Sequence, residues 1–322
     1  MLIVILLVTL RTESIIINQI IIMKVKSLLL ALVLPLFISV PAMAGKHWVA
    51  TWATAEQVVE PHNCPPAPYL ENNSIRQIVQ VSISGKKIRL KFSNEFSKGP
   101  VTINAAEVAI AATAGSSSDI IAGTEKSLTF NGSPSVTIQP GELVISDPIN
   151  FKLNNRENVA ITMHLGEASS TSVTGHPGSR TTSYIAEGQT SDFSNATATA
   201  HWYIINAIEV FAEKNARAVV VLGNSITDGR GSTTDQQNRW TDNLSRRLLE
   251  NKSTKRVAVL NMGLGGNCIL NGGLGPTGRS RYNRDLFQQE GVKYIILFEG
   301  VNDLGGYGDA VAKAKQIIEV YK

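Results

Sequence analysis

Three apolar runs, Ala218-Val219-Val220-Val221-Leu222, Val257-Ala258-Val259-Leu260 and Val292-Lys293-Tyr294-Ile295-Ile296-Leu297-Phe298, each lead into a segment carrying glycine and asparagine. Short apolar runs bounded by turn residues read as strands buried on both faces, the mark of a parallel sheet. The segments are Gly223-Asn224-Ser225-Ile226-Thr227-Asp228-Gly229, Gly263-Leu264-Gly265-Gly266-Asn267 and Gly300-Val301-Asn302-Asp303. Between the runs, residues 238–251 carry Trp240, Leu244 and Leu248 at a spacing of four, which predicts an amphipathic helix with Arg246 and Arg247 outside. A short helix is expected over 285–289 and a last amphipathic one over 309–322, through Val311, Ile317, Ile318 and Val320. Strand alternating with helix predicts an α/β fold, a doubly wound parallel sheet. In such sheets the site lies at the carboxyl ends of the strands.

The preceding stretch, residues 45–213, reads as all-β. Gln77 to Ile83 and Lys87 to Phe92 alternate polar and apolar residues at period two, with Ser84-Gly85 as a turn between them. Further strands are expected over 101–112, 127–130, 135–138, 142–146, 158–164, 181–185 and 202–211. Asn131-Gly132 signals a tight hairpin. Many short strands separated by Gly, Pro, Ser and Asn predict a β-sandwich of jelly-roll type. The α/β domain then runs over 214–322.

Met23-Lys24-Val25-Lys26 is a basic n-region, residues 27–40 an apolar h-region, and Pro41-Ala42-Met43-Ala44 a small-residue cleavage site. Residues 23–44 are therefore read as a secretory signal peptide, with Gly45 as the mature start and a secreted or periplasmic destination. Residues 1–22 fit neither a fold nor an n-region and are read as an over-extended start. Removing residues 1–44 lowers the net charge from +4 to +2, so the basic isoelectric point says little about partners. No cluster of Lys and Arg with interleaved aromatics points to nucleic acid, and no stable membrane anchor is expected after cleavage. Cys64 and Cys268 stand about 200 residues apart, and two free thiols are the expectation. No metal or redox spacing occurs, and no cofactor is expected.

A serine hydroxyl becomes a nucleophile when a base takes its proton and donors hold the developing oxyanion. Ser225 stands in the turn leaving the first strand, Gly266 lets a carbonyl oxygen approach a backbone N–H, and Asn302 offers an amide donor. Singly these are a turn, a loop and a helix cap. In order, at three consecutive strand ends, they read as a nucleophile and its oxyanion hole.

At these residues the chain resembles the SGNH/GDSL hydrolases, secreted esterases and lipases with a flavodoxin-like sheet. Residues 221–229 are similar to the first family block, 261–267 to the second and Gly300-Val301-Asn302-Asp303 to the third. The resemblance implies Ser225 as nucleophile with Gly266 and Asn302 as oxyanion donors. Arg239-Trp240-Thr241-Asp242 and Arg281-Tyr282-Asn283-Arg284-Asp285 also resemble stretches of a bacterial branch whose β-rich module opens like Trp48-Val49-Ala50-Thr51-Trp52-Ala53. Asn224 stands where the family has Asp. The family's fourth block, Asp-x-x-His, is absent, and the α/β part ends after its third strand and following helix.

No histidine follows His201, and His47, His62, His164, His176 and His201 are expected to be surface or packing residues. The implied activity is hydrolysis of short-chain, acetyl-type esters, plausibly on carbohydrate. The chain as given is expected to be C-terminally truncated, nearly inactive, and prone to aggregate through an exposed strand edge. A carbohydrate-binding or docking β-module attached to a non-catalytic hydrolase remnant is the alternative. Gly273-Leu274-Gly275-Pro276-Thr277-Gly278 matches G-x-G-x-x-G formally but follows no strand.

Overall fold

The computed structural model describes residues 6–9, 45–305 and 308–322. The signal peptide read over 23–44 lies outside the described residues, as does the rest of 1–22 apart from Leu6–Thr9.

The three apolar runs form parallel strands, Arg217–Gly223, Val257–Gly263 and Val292–Phe298, with the first in the middle. Gly223 pairs with Gly263 on one side and with Phe298 on the other, so all three strand ends lie level. Alternate residues face opposite layers. Val219, Val221, Val257 and Val259 meet Trp240, Leu244 and Leu248 of the helix Trp240–Glu250. Ala218, Val220, Leu222, Ala258, Leu260 and Met262 face the main core, which Leu286 and Ile317 join from the other layer. The sheet is thus wound on both faces.

Number the helices α1 (Ser225–Asp228), α2 (Trp240–Glu250), α3 (Gly278–Tyr282), α4 (Val301–Leu304) and α5 (Ala310–Tyr321). The helix expected over 285–289 is instead α3 followed by a π-helical turn, Asn283–Phe287. In α5 only part of the expected stripe is covered: Ile317 is buried, but Val311 and Ile318 are exposed.

The β-rich half holds two antiparallel sheets that share one core. One has the order Ile149–Leu153, Gly85–Ser93, Ile205–Ala212, His47–Ala53. The other centres on Ser74–Gln80, Asn158–Leu165 and Val101–Ile110. The strands either side of Ser84-Gly85 therefore belong to different sheets and form no hairpin. Asn131 and Gly132 do form one, with positive φ at both positions and paired backbone bonds between Phe130 and Ser133. The single strand expected over 202–211 is broken at Ile204, whose φ is 69°. Its first piece, Trp202–Tyr203, joins a small third sheet with Thr174–His176 and Gln57–Val58.

The two halves interlock. Ser82 Oγ donates to Val259 O at 2.9 Å and accepts from Val259 N at 3.1 Å, so a β-half side chain occupies the edge of a parallel strand. Thr54 bridges Asn261 further along the same edge. The opposite edge, on Val292–Phe298, was expected to be bare. It is paired antiparallel with Leu6–Thr9, in register from Leu6–Leu297 to Thr9–Tyr294. Residues 6–9 are thus part of the sheet rather than outside the fold.

Candidate active site

Level strand ends bring the three segments into one place. Ser225 opens α1 and is half-buried, and among the described residues no hydrogen bond engages its Oγ. Asn224 caps the turn, its side-chain oxygen accepting from Ile226 N at 3.0 Å. A neutral amide therefore serves as the acceptor that a carboxylate would supply there.

After the second strand, Gly266 takes φ 69°, a conformation that favours glycine. Its N–H makes no hydrogen bond among the described residues and is available to an oxyanion, while its carbonyl accepts from Leu274 N at 3.0 Å. Asn302, in α4, donates to Asn267 O at 2.7 Å. That bond uses one of the two amide hydrogens and leaves one for an oxyanion. The neighbouring Asp303 is buried and accepts from Ile269 N and Leu270 N, both at 2.9 Å. The Asn302-Asp303 pair is therefore a clamp between the third and second segments, where a helix cap was the simpler expectation.

One residue whose role the sequence did not indicate organises the whole arrangement. Arg281 is buried and spends all five guanidinium hydrogens. It donates to Asn267 Oδ1 from Nε at 3.0 Å and Nη2 at 2.9 Å, to Met262 O and Asp285 Oδ2 from Nη1 at 2.7 Å each, and to Gly223 O from Nη2 at 3.0 Å. It thereby ties the ends of the first two strands to the loop that carries Gly266. Asn267 finishes the loop by donating to Leu274 O and Pro276 O, both at 2.8 Å.

Glu299 follows the third strand and lies 3.6 Å from Arg281 Nη2, too far for a hydrogen bond. Burial pushes its carboxyl up to about 8; Arg281 pulls the other way without reversing the shift, and Asp303 adds to it. On the other side, Asp285 accepts from Arg284 Nε at 2.6 Å, and Arg284 reaches Glu95 of the β-half at 3.0 Å. A line of alternating charge thus runs from the β-half to the strand ends.

Among the described residues no histidine hydrogen-bonds to Ser225. His164 Nδ1 meets Ser74 Oγ at 2.8 Å and His201 Nδ1 meets Pro177 O at 2.7 Å. His176 is the exception to a purely local role: Nδ1 lies 2.8 Å from Ala55 O and Nε2 2.9 Å from Asp228 Oδ1, at the far end of α1. No local pattern links His176 to Asp228 across 52 positions, so only the fold reveals the contact. Cys64 and Cys268 are free, as expected, and among the described residues no cluster could hold a metal ion.

Residues 221–322 match the sequence model of the GDSL-like Lipase/Acylhydrolase family. The match supports general ester-hydrolase chemistry for this part of the chain. The chain matches no curated protein.

Proposed function

We propose that the chain is a secreted serine acylhydrolase acting on short-chain, acetyl-type esters, with acetylated carbohydrate as its substrate class. The observation that carries this reading is the level alignment of Gly223, Gly263 and Phe298, which gathers Ser225, Gly266 and Asn302. Ser225 Oγ attacks the ester carbonyl while the Gly266 N–H and the free Asn302 amide hydrogen receive the negative charge. The ester C–O bond breaks and the alkoxide leaves as the alcohol, taking up the serine proton by way of solvent; water then attacks the acyl-serine, releasing the acid and returning a proton to Ser225 Oγ.

Among the described residues, exposed large apolar side chains next to the site include Ile226, Leu274 and Val301. They border Ser225, Gly266 and Asn302 in sequence or in space, since a Cβ on Gly266 would lie 3.0 Å from Leu274 Cγ. Three separate branched side chains suit a small acyl group better than a long chain. Export fits the signal peptide read over 23–44.

With no imidazole on Ser225 among the described residues, turnover is slow. An oxyanion hole and binding alone give about 10³–10⁴-fold acceleration over water. Acetate release from acetylated xylan fragments, compared with release of longer acids from matched esters, tests the substrate class. Preference for the longer acids contradicts it. A second reading is a glycan-binding β-half beside a non-catalytic α/β half, since Ser225 Oγ has no hydrogen-bond partner among the described residues. Retention of acetylated and bare oligosaccharide by the intact Ser225→Ala chain, with no hydrolysis by the parent, supports that reading instead.

A further inference from the structure

Asp228 ends the turn that Ser225 begins, and it is gripped from the other half of the molecule. The turn has only four residues, so helical cooperativity does little to hold it. Its orientation depends on side-chain anchors. Asn224 caps its start, Asn261 Nδ2 donates to Thr227 O at 2.7 Å, and Asp228 meets His176 at 2.9 Å.

His176 bridges two partners. A carbonyl oxygen only accepts, so at 2.8 Å from Ala55 O the Nδ1 atom is the donor. Nε2 lies 2.9 Å from Asp228 Oδ1, within hydrogen-bond distance. Both side chains are buried, at 5% and 1% exposure, and the Trp202 ring stacks on His176 with centroids 5.7 Å apart.

The surroundings are shaped for Asp228. A Cβ on Gly178 would overlap its carboxylate, and a Cβ on Gly263 would overlap its backbone. Two bare backbones, one from each half, therefore close around this residue.

We propose that His176 is a positioning residue for Ser225. Acting through Asp228, it fixes the turn that carries the nucleophile, which makes the β-rich half part of the acyl-transfer site. The inference rests on the acylhydrolase reading for its purpose, but not for its geometry.

The test uses the full chain and two readouts. The first is hydrogen exchange of the 224–230 amides. The second is the rate at which a fluorophosphonate modifies Ser225, followed by mass spectrometry. His176→Ala is expected to speed exchange in this segment at least tenfold and to slow modification by about tenfold or more, since small misplacements of a reacting group reach 10²-fold. His176→Gln keeps a donor for Asp228 and is expected to recover most of both. Asp228→Asn keeps the shape but puts an amide in place of the carboxyl that meets His176, is expected to move both readouts in the same direction by less, and serves if the alanine variant does not fold.

Faster exchange confined to 224–230, restored by Gln, supports the inference. Unchanged exchange and modification in both His176→Ala and Asp228→Asn overturn it. So does uniform loss of protection across the molecule that Gln fails to restore. If Ser225 of the parent chain is no more reactive than background, the acylhydrolase reading fails, and the exchange result alone decides the positioning role.

Discussion

Arg281 delivers two of its N–H groups, Nε at 3.0 Å and Nη2 at 2.9 Å, to a single atom, the side-chain oxygen of Asn267. That fork fixes the loop carrying Gly266 relative to the strand that leads into Ser225, because the same guanidinium also holds Gly223 O. Replacing Arg281 by Met leaves the buried Asp285 carboxylate with Arg284 alone and takes a donor from the Met262 and Gly223 carbonyls, of which Gly223 O keeps Leu264 N. Breaking a buried pair by removing one partner costs about 3–5 kcal/mol. Lys is expected to rescue little, because it lacks the planar fork. Urea unfolding of Arg281→Met and Arg281→Lys checks this, and a loss below about 1 kcal/mol in the Met variant contradicts it.

Stability is expected to fall as pH rises from about 5 to about 8. Burial raises Glu299 from 4.5 to about 8 and Glu56 likewise. An acid held above its unfolded value binds its proton more tightly when folded, so deprotonation of the unfolded chain draws the equilibrium toward unfolding across that window. The effect is of the order of a few kcal/mol per group. Glu299→Gln should be less pH-sensitive and more stable than the parent at pH 8. Equal slopes for parent and variant in unfolding experiments at several pH values count against it.

Asp303→Ala removes the acceptor for the Ile269 and Leu270 amides. Unsatisfied buried donors cost about 1–3 kcal/mol. The loss should appear in thermal unfolding and as faster exchange of the 264–276 loop, with Asp303→Asn intermediate. An unaltered loop in Asp303→Ala shows that the clamp does not hold it.

Gly178→Ala pushes a methyl group into the Asp228 carboxylate from the β-half. Overpacking of this kind costs about 1–3 kcal/mol. Chemical denaturation should report that loss, whereas Gly99→Ala, with open space at its Cβ and no positive φ, controls for replacement of a glycine as such.

Much of the α/β part was legible because its signals are local. Apolar runs gave the parallel strands, and the spacing of Trp240, Leu244 and Leu248 gave α2 and the face it covers. Asn131-Gly132 gave its hairpin for the same reason. Ser225, Gly266 and Asn302 were singled out from their order along the chain, and the level strand ends bring their segments together.

What escaped depends on contacts between distant segments. His176 looked like any packing histidine until the small third sheet set it against Asp228. Arg281 opens a stretch that a resemblance singled out, but the short helix there was expected in the wrong place and nothing local showed that this side chain joins the strand ends. Pairing of the last strand edge with Leu6–Thr9 was hidden too, because those residues read as lying outside any fold.

Hydrolysis of p-nitrophenyl acetate by the full chain, set beside Ser225→Ala and Asn302→Ala, tests the site most directly. Slow turnover is expected, lost in Ser225→Ala and reduced about 10²–10³-fold in Asn302→Ala, the usual cost of removing one oxyanion donor. A rate that Ser225→Ala leaves unchanged would contradict the assignment of Ser225 as the nucleophile in an oxyanion hole built from Gly266 and Asn302.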